Sequence, residues 1–291
     1  MKKLKNNYYN MSILKFSIQI LLISLIFTLD YSDQTGPTWN GNCQLGQIQS
    51  PINIKTSNVI EDNTKFVIES INYSIISSTS VTYQHEYSIS TPTLDNGNIK
   101  VKINETEFIY KLSNIHFHLN SEHTINNKIY DMEMHIVHEN INSNDINNLH
   151  MVISYIFEVV NDEDNSFLNS IGFNTGQIVT NVNVQDIVKK EDVYYYKGSL
   201  TTPPCTEDVN WVVVENIKKM SKSQFNRFKE YVTKLNNNYN KGNNRKTFPL
   251  NDRKVYKSKS EDEYIKFLSI FCSIFFFYSI KYMYYRIKLR R

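Results

Sequence analysis

The sequence has no long run of basic residues, no obvious linker and no internal repeat. Its formal net charge is only +3 over 291 residues, and 21% of the residues are charged. Domains that bind nucleic acid usually show a basic patch and a clear excess of positive charge, so the sequence gives little support to a nucleic-acid partner. Because no break in composition divides it, the middle of the chain, residues 31–258, is predicted to form a single domain.

The amino-terminal end differs from this middle region. Three lysines among the first five residues precede an apolar run from Ile13 to Leu29. A short basic segment followed by an apolar segment of this size is typical of a secretory signal peptide, which we predict at residues 1–30. No small-x-small cleavage triplet precedes Tyr31, so an uncleaved amino-terminal anchor stays open as an alternative.

The carboxy-terminal end, residues 259–291, contains a second apolar segment from Ile265 to Tyr285. Its uninterrupted core, Phe267 to Ile280, is shorter than the roughly 20 residues that cross a bilayer, but flanking tyrosines and a snorkelling lysine can complete a span. A removed lipid-anchor signal would end in its apolar tail, whereas this chain ends in a basic stretch typical of a cytoplasmic side. We therefore predict a type I single-pass membrane protein of the secretory pathway, anchored by a C-terminal helix.

Cysteine is scarce, since the chain has three and Cys272 lies in the predicted membrane segment. The two that remain, Cys43 and Cys205, could form a disulfide in an exported protein, although the sequence alone does not show that they meet. Two sequons, Asn72-Tyr73-Ser74 and Asn104-Glu105-Thr106, are compatible with export and with a glycoprotein. All of these features agree with an extracellular or lumenal domain.

Helical periodicity is almost absent from the middle region. It appears only around Ser221 to Leu235, where Phe225, Phe228 and Val232 recur at three- and four-residue steps behind serines that can cap a helix. Segments rich in Ile, Val, Tyr or Thr predict short strands at Lys65–Ser70, Ser80–Ser90, Ile99–Ile103, Phe108–His118, Tyr130–Val137, Met151–Val160 and Trp211–Glu215. The predicted fold class is mainly β (α+β), one domain with a few helices.

Histidines concentrate in one part of this domain. His116 and His118 are two residues apart, so on a strand both rings point to the same face, and His135 can lie opposite them across a hairpin. Three neutral imidazoles that converge leave a fourth position open for water, as in a catalytic zinc site. Asn114 and Glu133 share these faces, where they can accept hydrogen bonds from the second ring nitrogens.

Spacing alone leaves the zinc site undecided. The chain has seven histidines, and a His-x-His pair on a strand is more often an ordinary core or surface feature than a pair of ligands. By default His123, His138 and His150 are assigned to structure. A purely structural zinc is a further alternative, although such sites usually close the fourth position with a protein ligand.

The order of several motifs resembles that of the α-carbonic anhydrases. The resemblance rests on the histidine region with Ser121-Glu122-His123-Thr124, and on Gln49-Ser50-Pro51-Ile52-Asn53-Ile54, Gly198-Ser199-Leu200-Thr201-Thr202-Pro203-Pro204 with Trp211, Asn244-Arg245, and Phe248-Pro249-Leu250-Asn251 with Arg253. These motifs cover nearly all of the middle region. The resemblance implies a single domain around a large, twisted, mostly antiparallel central sheet of about ten strands, with a few peripheral helices.

The resemblance also implies an activity, the reversible hydration of carbon dioxide to bicarbonate and a proton by a zinc-bound hydroxide. His116, His118 and His135 would hold Zn²⁺, with Asn114 and Glu133 as their hydrogen-bond partners. Thr201 would accept a hydrogen bond from the hydroxide and pass its own proton to Glu122.

Other roles follow from the same resemblance. Thr202 would line the substrate pocket, and its apolar wall would be formed by Val137, Ile153, Leu200 and Trp211. His85 aligns with the proton-shuttle histidine of the family, although a solvated strand histidine remains an alternative. Cys43 and Cys205 coincide with the disulfide of the family's exported members.

Some positions depart from the family pattern. After His118 the family usually has Trp-Gly and a longer turn, whereas Leu119-Asn120 leads almost at once to Ser121. Asn114 replaces a glutamine, and Glu139 replaces an aromatic residue. Some family members have lost their zinc and act as binding or adhesion modules. A catalytically weak or inactive surface protein of that kind is therefore the alternative to an enzyme.

Overall fold

The computed structural model describes residues 39–76, 80–83, 87–90, 97–142, 144–160, 163–173, 181–235 and 242–260, together with 276 and 278. All of them belong to one compact unit, residues 31–291. The predicted signal peptide lies outside the described residues, and so does the predicted membrane segment apart from Phe276 and Tyr278. Within the described part of the chain, no helix is long and apolar enough to cross a membrane. The predictions about the two ends therefore stay predictions.

Strands dominate the described residues. The strands are β1 Asn53–Ile54, β2 Ile60–Glu61, β3 Phe66–Tyr73, β4 Ser80–Tyr83, β5 Tyr87–Ser90, β6 Gly97–Ile103, β7 Thr106–Leu119, β8 Thr124–Ile125, β9 Met132–Asn140, β10 His150–Val160, β11 Val193–Gly198, β12 Val209–Val214, β13 Lys218–Ser221 and β14 Tyr256–Ser258. The α-helices are α1 Asn42–Leu45, α2 Ser166–Ser170 and α3 Lys222–Leu235, and short 3-10 helices span Thr56–Asn58 and Val184–Asp186.

Twelve of these strands form one mixed sheet. Its main path runs β2-β14-β11-β12-β10-β9-β7-β5-β4, while β6 joins β7 to β3 and β13 pairs with β10. Three pairs are parallel, namely β10 with β12, β10 with β13 and β14 with β2; the other pairs are antiparallel. The short strands β1 and β8 form a separate parallel pair. The mainly β, mostly antiparallel fold predicted from the sequence is confirmed.

The centre of the sheet is covered on both faces. From Met151 to Phe157 every side chain of β10 is buried, and the same holds from Met132 to His138 on β9. The sequences of strands that are covered on both faces are mostly apolar. A polar side chain in such a strand needs a hydrogen-bond partner. The polar side chains of β9 therefore need hydrogen-bond partners, and they define the candidate site described below.

Helix α3 begins with a reciprocal cap. Ser221 Oγ accepts the Gln224 N–H at 3.1 Å, and the Ser221 N–H donates to Gln224 Oε1 at 3.2 Å. This capping box explains why the helix begins at Lys222. Phe228 is buried and stacks on Phe173 with ring centroids 5.4 Å apart. Phe117 of β7 lies against both rings, so α3 covers one face of the central strands.

The list of strands predicted from sequence omits β11, β13 and β14, and also the two-residue strands β1, β2 and β8. β13 and β14 are short segments rich in Lys and Ser, and they become strands only by pairing with β10 and β11, respectively. β11 carries three consecutive tyrosines, which is a usable strand signal. The predicted segment Ser80–Ser90 divides into β4 and β5, with residues 84–86 outside the described part.

Candidate metal centre

The candidate site lies on β7 and β9. His116 pairs with His135, and His118 pairs with Glu133. Directly paired residues share one face of a sheet, as do residues two apart on one strand. The face that these residues share, called the front face below, carries Asn114, His116, His118, Glu133 and His135.

A β-bulge determines which side chains reach the front face. Leu112 pairs with His138, whereas Asn114 pairs with Val137, so Ser113 is an extra residue in β7. A bulge of this kind changes the register by one residue. Leu112 and Asn114 consequently lie on opposite faces although they are two apart. Without the bulge, a strand continued from Leu112 would turn both histidines of β7 away from His135.

The three histidines meet at one point. His135 Nδ1 lies 3.2 Å from His116 Nε2, and one ring nitrogen from each of His116, His118 and His135 lies within 4.8 Å of the others. His118 Nε2 is buried and has no hydrogen-bond partner among the described residues. A buried nitrogen without a partner is costly, and a bound metal ion would satisfy it. The sequence predicted this set of ligands, and the structure brings its members together.

The second nitrogen of each ring is held by an oxygen acceptor. His116 Nδ1 donates to Asn114 Oδ1 at 2.8 Å, and His135 Nε2 donates to Glu133 Oε1 at 2.7 Å. His118 Nδ1 donates to the backbone carbonyl of Asn243 at 3.1 Å. Such partners fix the tautomer, so that the lone pairs of all three rings point toward the shared centre. Zn²⁺ fits this donor set of three imidazoles with one position open.

Asn243 was not among the residues predicted from the sequence. It acts on His118 through its main-chain oxygen, and its side-chain Oδ1 accepts the Leu119 N–H at 2.6 Å. A main-chain acceptor can come from any residue type, so no residue pattern identifies it. The neighbouring Asn244-Arg245 motif was the only signal nearby.

Glu133 is held in the carboxylate form by five donors. Its Oε1 accepts from His135 at 2.7 Å, from His123 at 2.7 Å and from Ser154 at 2.6 Å. Its Oε2 accepts the backbone N–H groups of Glu122 and His123 at 2.8 Å. Burial would raise the pKa of this carboxyl, but the contacts from His123 and then His135 outweigh it and hold the pKa well below its usual range.

His123, Glu133 and His135 also form a group with metal-binding spacing. The oxygens of Glu133 are already occupied by donors, and His123 Nε2 lies 2.7 Å from the Tyr196 hydroxyl. Hydrogen bonds therefore account for this second group. The structural role predicted for His123 agrees with these contacts.

Two of the candidate ligands are neutral at physiological pH. Burial, followed by the neighbouring His135 and His118, lowers the pKa of His116 well below its usual value. Burial lowers the pKa of His135 to about 4, against the opposing effect of Glu133. Because a metal ligand must offer an unprotonated nitrogen, this electrostatic setting favours metal binding over protonation.

Glu122 lies beside the three histidines and is also buried. Its Oε1 accepts the Arg245 N–H at 2.9 Å, and its Oε2 lies 4.0 Å from His135 Nδ1. Burial and then the nearby Glu133 raise the pKa of Glu122 to about 8, while Arg245 and Thr201 oppose that rise. Glu122 Oε2 is buried and has no hydrogen-bond partner in the described part of the chain.

The substrate wall predicted from the sequence needs one correction. Val152 of β10 pairs with Val137 on one side and with Trp211 on the other, so these three side chains share the front face. Ile153 pairs instead with Ile136 and Val212, which places it on the opposite face. The prediction was wrong by one residue along β10, and a slip of one residue always exchanges the two faces. Leu200 packs against the same apolar cluster as Val137 and Trp211.

A disulfide holds the loop that carries Thr201 and Thr202. Cys43 and Cys205 are bonded, as the resemblance implied. The Cys205 N–H donates to the Thr202 carbonyl at 2.9 Å, and Trp211 Nε1 donates to the Ser199 carbonyl at 3.0 Å. Thr201 is buried and Thr202 is half-buried.

The short turn after His118 is closed by residues from the distant end of the domain. Asn120 has a left-handed backbone with φ of 64°, and its side chain donates to Asn244 Oδ1 at 3.3 Å. Gly242 has φ of +105°, and a Cβ there would lie 2.4 Å from Asn120 Nδ2 and 2.7 Å from the Leu119 carbonyl. The Trp-Gly of the family pattern is thus replaced by an asparagine that tolerates the left-handed region.

The remaining histidines lie away from this centre. His138 is buried on the face opposite the front face, with Nε2 at 2.7 Å from the Tyr73 hydroxyl. His150 Nδ1 lies 3.2 Å from Asp208 Oδ1 at the margin of the sheet. The structural roles predicted for both agree with these contacts. His85, the predicted proton shuttle, lies outside the described residues.

Comparisons with known proteins point to one family. The family model described as eukaryotic-type carbonic anhydrase matches residues 34–259. The chain is 29% identical to Alpha carbonic anhydrase 8 of Arabidopsis thaliana, covering 80% of this chain but 58% of that protein's length. It is 32% identical to Carbonic anhydrase Nec1 of Nesocodon mauritianus, covering 75% of this chain and 77% of the relative.

Solved structures agree. The α-carbonic anhydrase from Thermovibrio ammonificans, in complex with the inhibitor sulfanilamide, superposes with a TM-score of 0.59 at 28% identity. The match covers 74% of this chain and 89% of that structure.

Proposed function

This chain belongs to the eukaryotic-type carbonic anhydrase family, and from that premise we propose that it catalyses the hydration of carbon dioxide to bicarbonate and a proton. The observation that carries the proposal is the convergence of His116, His118 and His135, with the second nitrogen of each ring held by an oxygen. The buried and otherwise unpartnered His118 Nε2 is the strongest single sign that a metal completes the site.

We propose Zn²⁺ as the cofactor, held by His116 Nε2, His118 Nε2 and His135 Nδ1. When bound, zinc lowers the pKa of a coordinated water to about 7, so that a nucleophile is available at neutral pH. The protein's own contribution is to hold three imidazoles in fixed orientations. Asn114, Glu133 and the carbonyl of Asn243 supply that orientation by accepting one N–H from each ring.

Thr201 and Glu122 orient the nucleophile in this proposal. The Glu122 carboxyl is fixed by the Arg245 N–H, and we propose that it accepts a hydrogen bond from the Thr201 hydroxyl in the working enzyme. With its proton committed to Glu122, the Thr201 oxygen can only accept a hydrogen bond from the group that attacks the substrate. That arrangement directs a lone pair toward the carbon of carbon dioxide, so the two residues contribute to catalysis by positioning.

The apolar part of the front face suits an uncharged substrate. Val137, Val152 and Trp211 are buried side by side, and Leu200 packs against them. Such a wall excludes water next to the metal centre and gives carbon dioxide a place without competing polar contacts. Bicarbonate is charged, so the same wall favours release of the product. Thr202 is proposed to line the polar rim of this pocket.

Metal content and hydration, measured together on the full chain, test the proposal. We expect zinc near one per chain and stopped-flow hydration of carbon dioxide, and we expect His118→Ala to lose both. His150→Gln is the matched control, because it removes a histidine far from the centre and should change neither. A folded wild-type protein with neither zinc nor hydration would refute the enzyme and leave the surface binding module.

An aromatic sulfonamide adds a readout that does not need turnover. Because the Thermovibrio ammonificans enzyme was solved with sulfanilamide, we propose that the zinc-loaded chain also binds this compound. Binding and stoichiometric zinc without hydration would indicate an intact metal centre that the short turn at Asn120 has disabled. His118→Ala should abolish the binding.

We further propose that the chain is exported and held in a membrane by its carboxy-terminal segment. The Cys43–Cys205 disulfide supports export, because such bonds persist in oxidising compartments. Asn104 and Asn72 are both exposed, but Asn104 lies in the turn between β6 and β7 whereas Asn72 lies within β3, so we propose Asn104 as the glycan acceptor. Carbonate extraction of cell membranes tests the anchor, and glycosidase treatment of wild type and Asn104→Gln tests the glycan. A protein released by carbonate and unaffected by glycosidase would contradict both.

A further inference from the structure

Lys197 is the penultimate residue of strand β11 and lies on the face opposite the metal centre. Tyr196 pairs with Trp211, so Lys197, which pairs with Asn210, points to the other side of the sheet. Its amine donates to the backbone carbonyl of Asn147 at 2.8 Å and to Asn148 Oδ1. Asn210 Nδ2 also donates to Asn148 Oδ1, at 3.1 Å. The amine is thus partly buried in a cluster of uncharged amides.

Lys197 differs in its acceptors from Lys218 and Lys257, two other partly buried lysines. Lys218 contacts Glu191 at 2.5 Å, and Lys257 contacts Glu215 at 2.6 Å. In the described part of the chain, both acceptors of the Lys197 amine are neutral, and no carboxylate oxygen lies within 4.0 Å of it. A neutral oxygen accepts a hydrogen bond from an amine as well as from an ammonium ion, so this site does not require the charged form.

The charged groups around Lys197 are already engaged with other partners. Asp208 lies against His150 at 3.2 Å, and Asp145 Oδ2 accepts from Asn148 Nδ2 at 2.9 Å. Burial lowers the pKa of Lys197 to about 8, against the opposing effects of Asp145 and Asp208. A substantial fraction of the amine is therefore neutral near pH 8, where an ordinary lysine is almost fully charged.

We infer that Lys197 is a site of reversible carbamate formation with carbon dioxide. The Nζ lone pair forms a bond to the carbon of carbon dioxide, one C=O electron pair moves to oxygen, and the nitrogen releases a proton to buffer. The product is a lysine carbamate with one negative charge. No oxidant, reductant or metal is needed, because a neutral amine is sufficient as the nucleophile.

Carbamate formation at Lys197 would affect the adjoining loop. The Lys197 amine donates the hydrogen bonds that connect Asn147 and Asn148 to β11. A carbamate is an anion, so its formation would weaken these bonds. Lys197 also directly precedes Gly198 and Ser199, which lead to Thr201. The modification uses the substrate of the proposed function but not the metal centre. It can therefore be tested separately from that function.

Isotope labelling with chemical trapping tests the inference on the full chain. The protein is equilibrated with ¹³C-bicarbonate at pH 8, treated with triethyloxonium ion to convert carbamates into stable ethyl esters, and digested for mass spectrometry. We expect the labelled adduct on Lys197 at least tenfold above that on Lys218, which is also partly buried but paired with Glu191. Labelling of Lys197 in wild type should reach half its maximum near pH 8.

A near-isosteric variant tests the geometric basis. Asn148→Asp replaces the neutral acceptor of the Lys197 amine by a carboxylate. Because a carboxylate favours the charged amine, labelling of Lys197 should fall at least tenfold. His118→Ala should label Lys197 as wild type does, so failure of the enzyme proposal would leave this result intact. Equal labelling of Lys197 and Lys218, no label on Lys197, or unchanged labelling in a folded Asn148→Asp protein would each overturn the inference. If Asn148→Asp does not fold, the pH dependence of Lys197 labelling in wild type is the test. A half-maximum far above pH 8 would then overturn the inference.

Discussion

The two faces of the β7–β9 pair have opposite chemistry although they are made by alternate residues of the same two strands. The front face carries the amide, the carboxylate and the three imidazoles of the metal centre. The back face carries Ile115, Phe117, Met134 and Ile136, all 0% exposed, and Phe117 lies against Phe173 and Phe228. One face thus supplies ligands while the other supplies apolar burial, so chemistry and stability are separated by strand parity.

The separation is incomplete, because the front face also affects stability and the back face also contains a titratable group. The front face needs every polar atom satisfied, and Glu133 alone accepts five hydrogen bonds there. The back face also contains a buried histidine, His138, which is 0% exposed. Substitutions on the two faces should therefore lower the unfolding free energy for different reasons. Only those on the front face should also lower the zinc content.

The largest effect is expected from Glu133→Ala on the front face. It leaves the N–H groups of His123, His135 and the backbone without an acceptor, so we expect a loss of about 3–5 kcal/mol of unfolding free energy. Zinc should be lost as well, because His135 is no longer oriented. Urea unfolding and metal analysis measure both effects. Glu139→Ala, on the same strand but exposed, is the control and should change neither; a stable, zinc-loaded Glu133→Ala protein would contradict the prediction.

The next largest effect is a pH dependence that comes from the back face. Burial lowers the pKa of His138 to about 4, against the opposing hydrogen bonds to Met151 and Ile136. The unfolded chain binds this proton at about pH 6.5. Stability from His138 is therefore complete above pH 6.5 and is lost as pH falls toward 4, by about 3 kcal/mol in all.

The variant His138→Gln isolates the contribution of His138 to the pH dependence of stability. Carboxylates and the other histidines titrate in the same pH range, so the measurement is the difference between wild type and His138→Gln in the same metal state. We expect the gap in unfolding free energy to shrink steadily between pH 7 and pH 4.5. A gap that stays constant would show that His138 is not the source of the dependence.

More of the metal centre than of its surroundings could be predicted from the sequence. The three ligands, Asn114 and Glu133 followed from strand parity and one antiparallel pairing, both of which are local rules. Ile153 was misplaced because its face depends on how β10 aligns with β9 and β12, and nothing in β10 itself records that register. Asn243 was missed because it acts through its backbone. The bulge at Ser113 was likewise invisible, since any residue can occupy it.

A smaller effect is expected from Phe117→Leu on the back face. Removing part of the ring leaves a gap against Phe173 and Phe228, and we expect a loss of about 1–2 kcal/mol. Zinc content and hydration should be unchanged at temperatures where the variant is folded, since the front face is intact. Thermal unfolding with metal analysis tests this. Loss of zinc from folded Phe117→Leu would show that the two faces are coupled.

The smallest effect is expected at Asn120, where β7 ends and the two faces meet in the short turn. Asn120→Gly removes the strain of a left-handed residue with φ of 64° but also loses the 3.3 Å hydrogen bond to Asn244. These terms oppose each other, so we expect a change within about 0.5 kcal/mol. Asn120→Ala loses the same bond without relieving the strain, and it should be less stable than Asn120→Gly by about 1 kcal/mol. Equal stability of the two variants would mean that the side-chain bond, and not the backbone conformation, decides why asparagine occupies this turn.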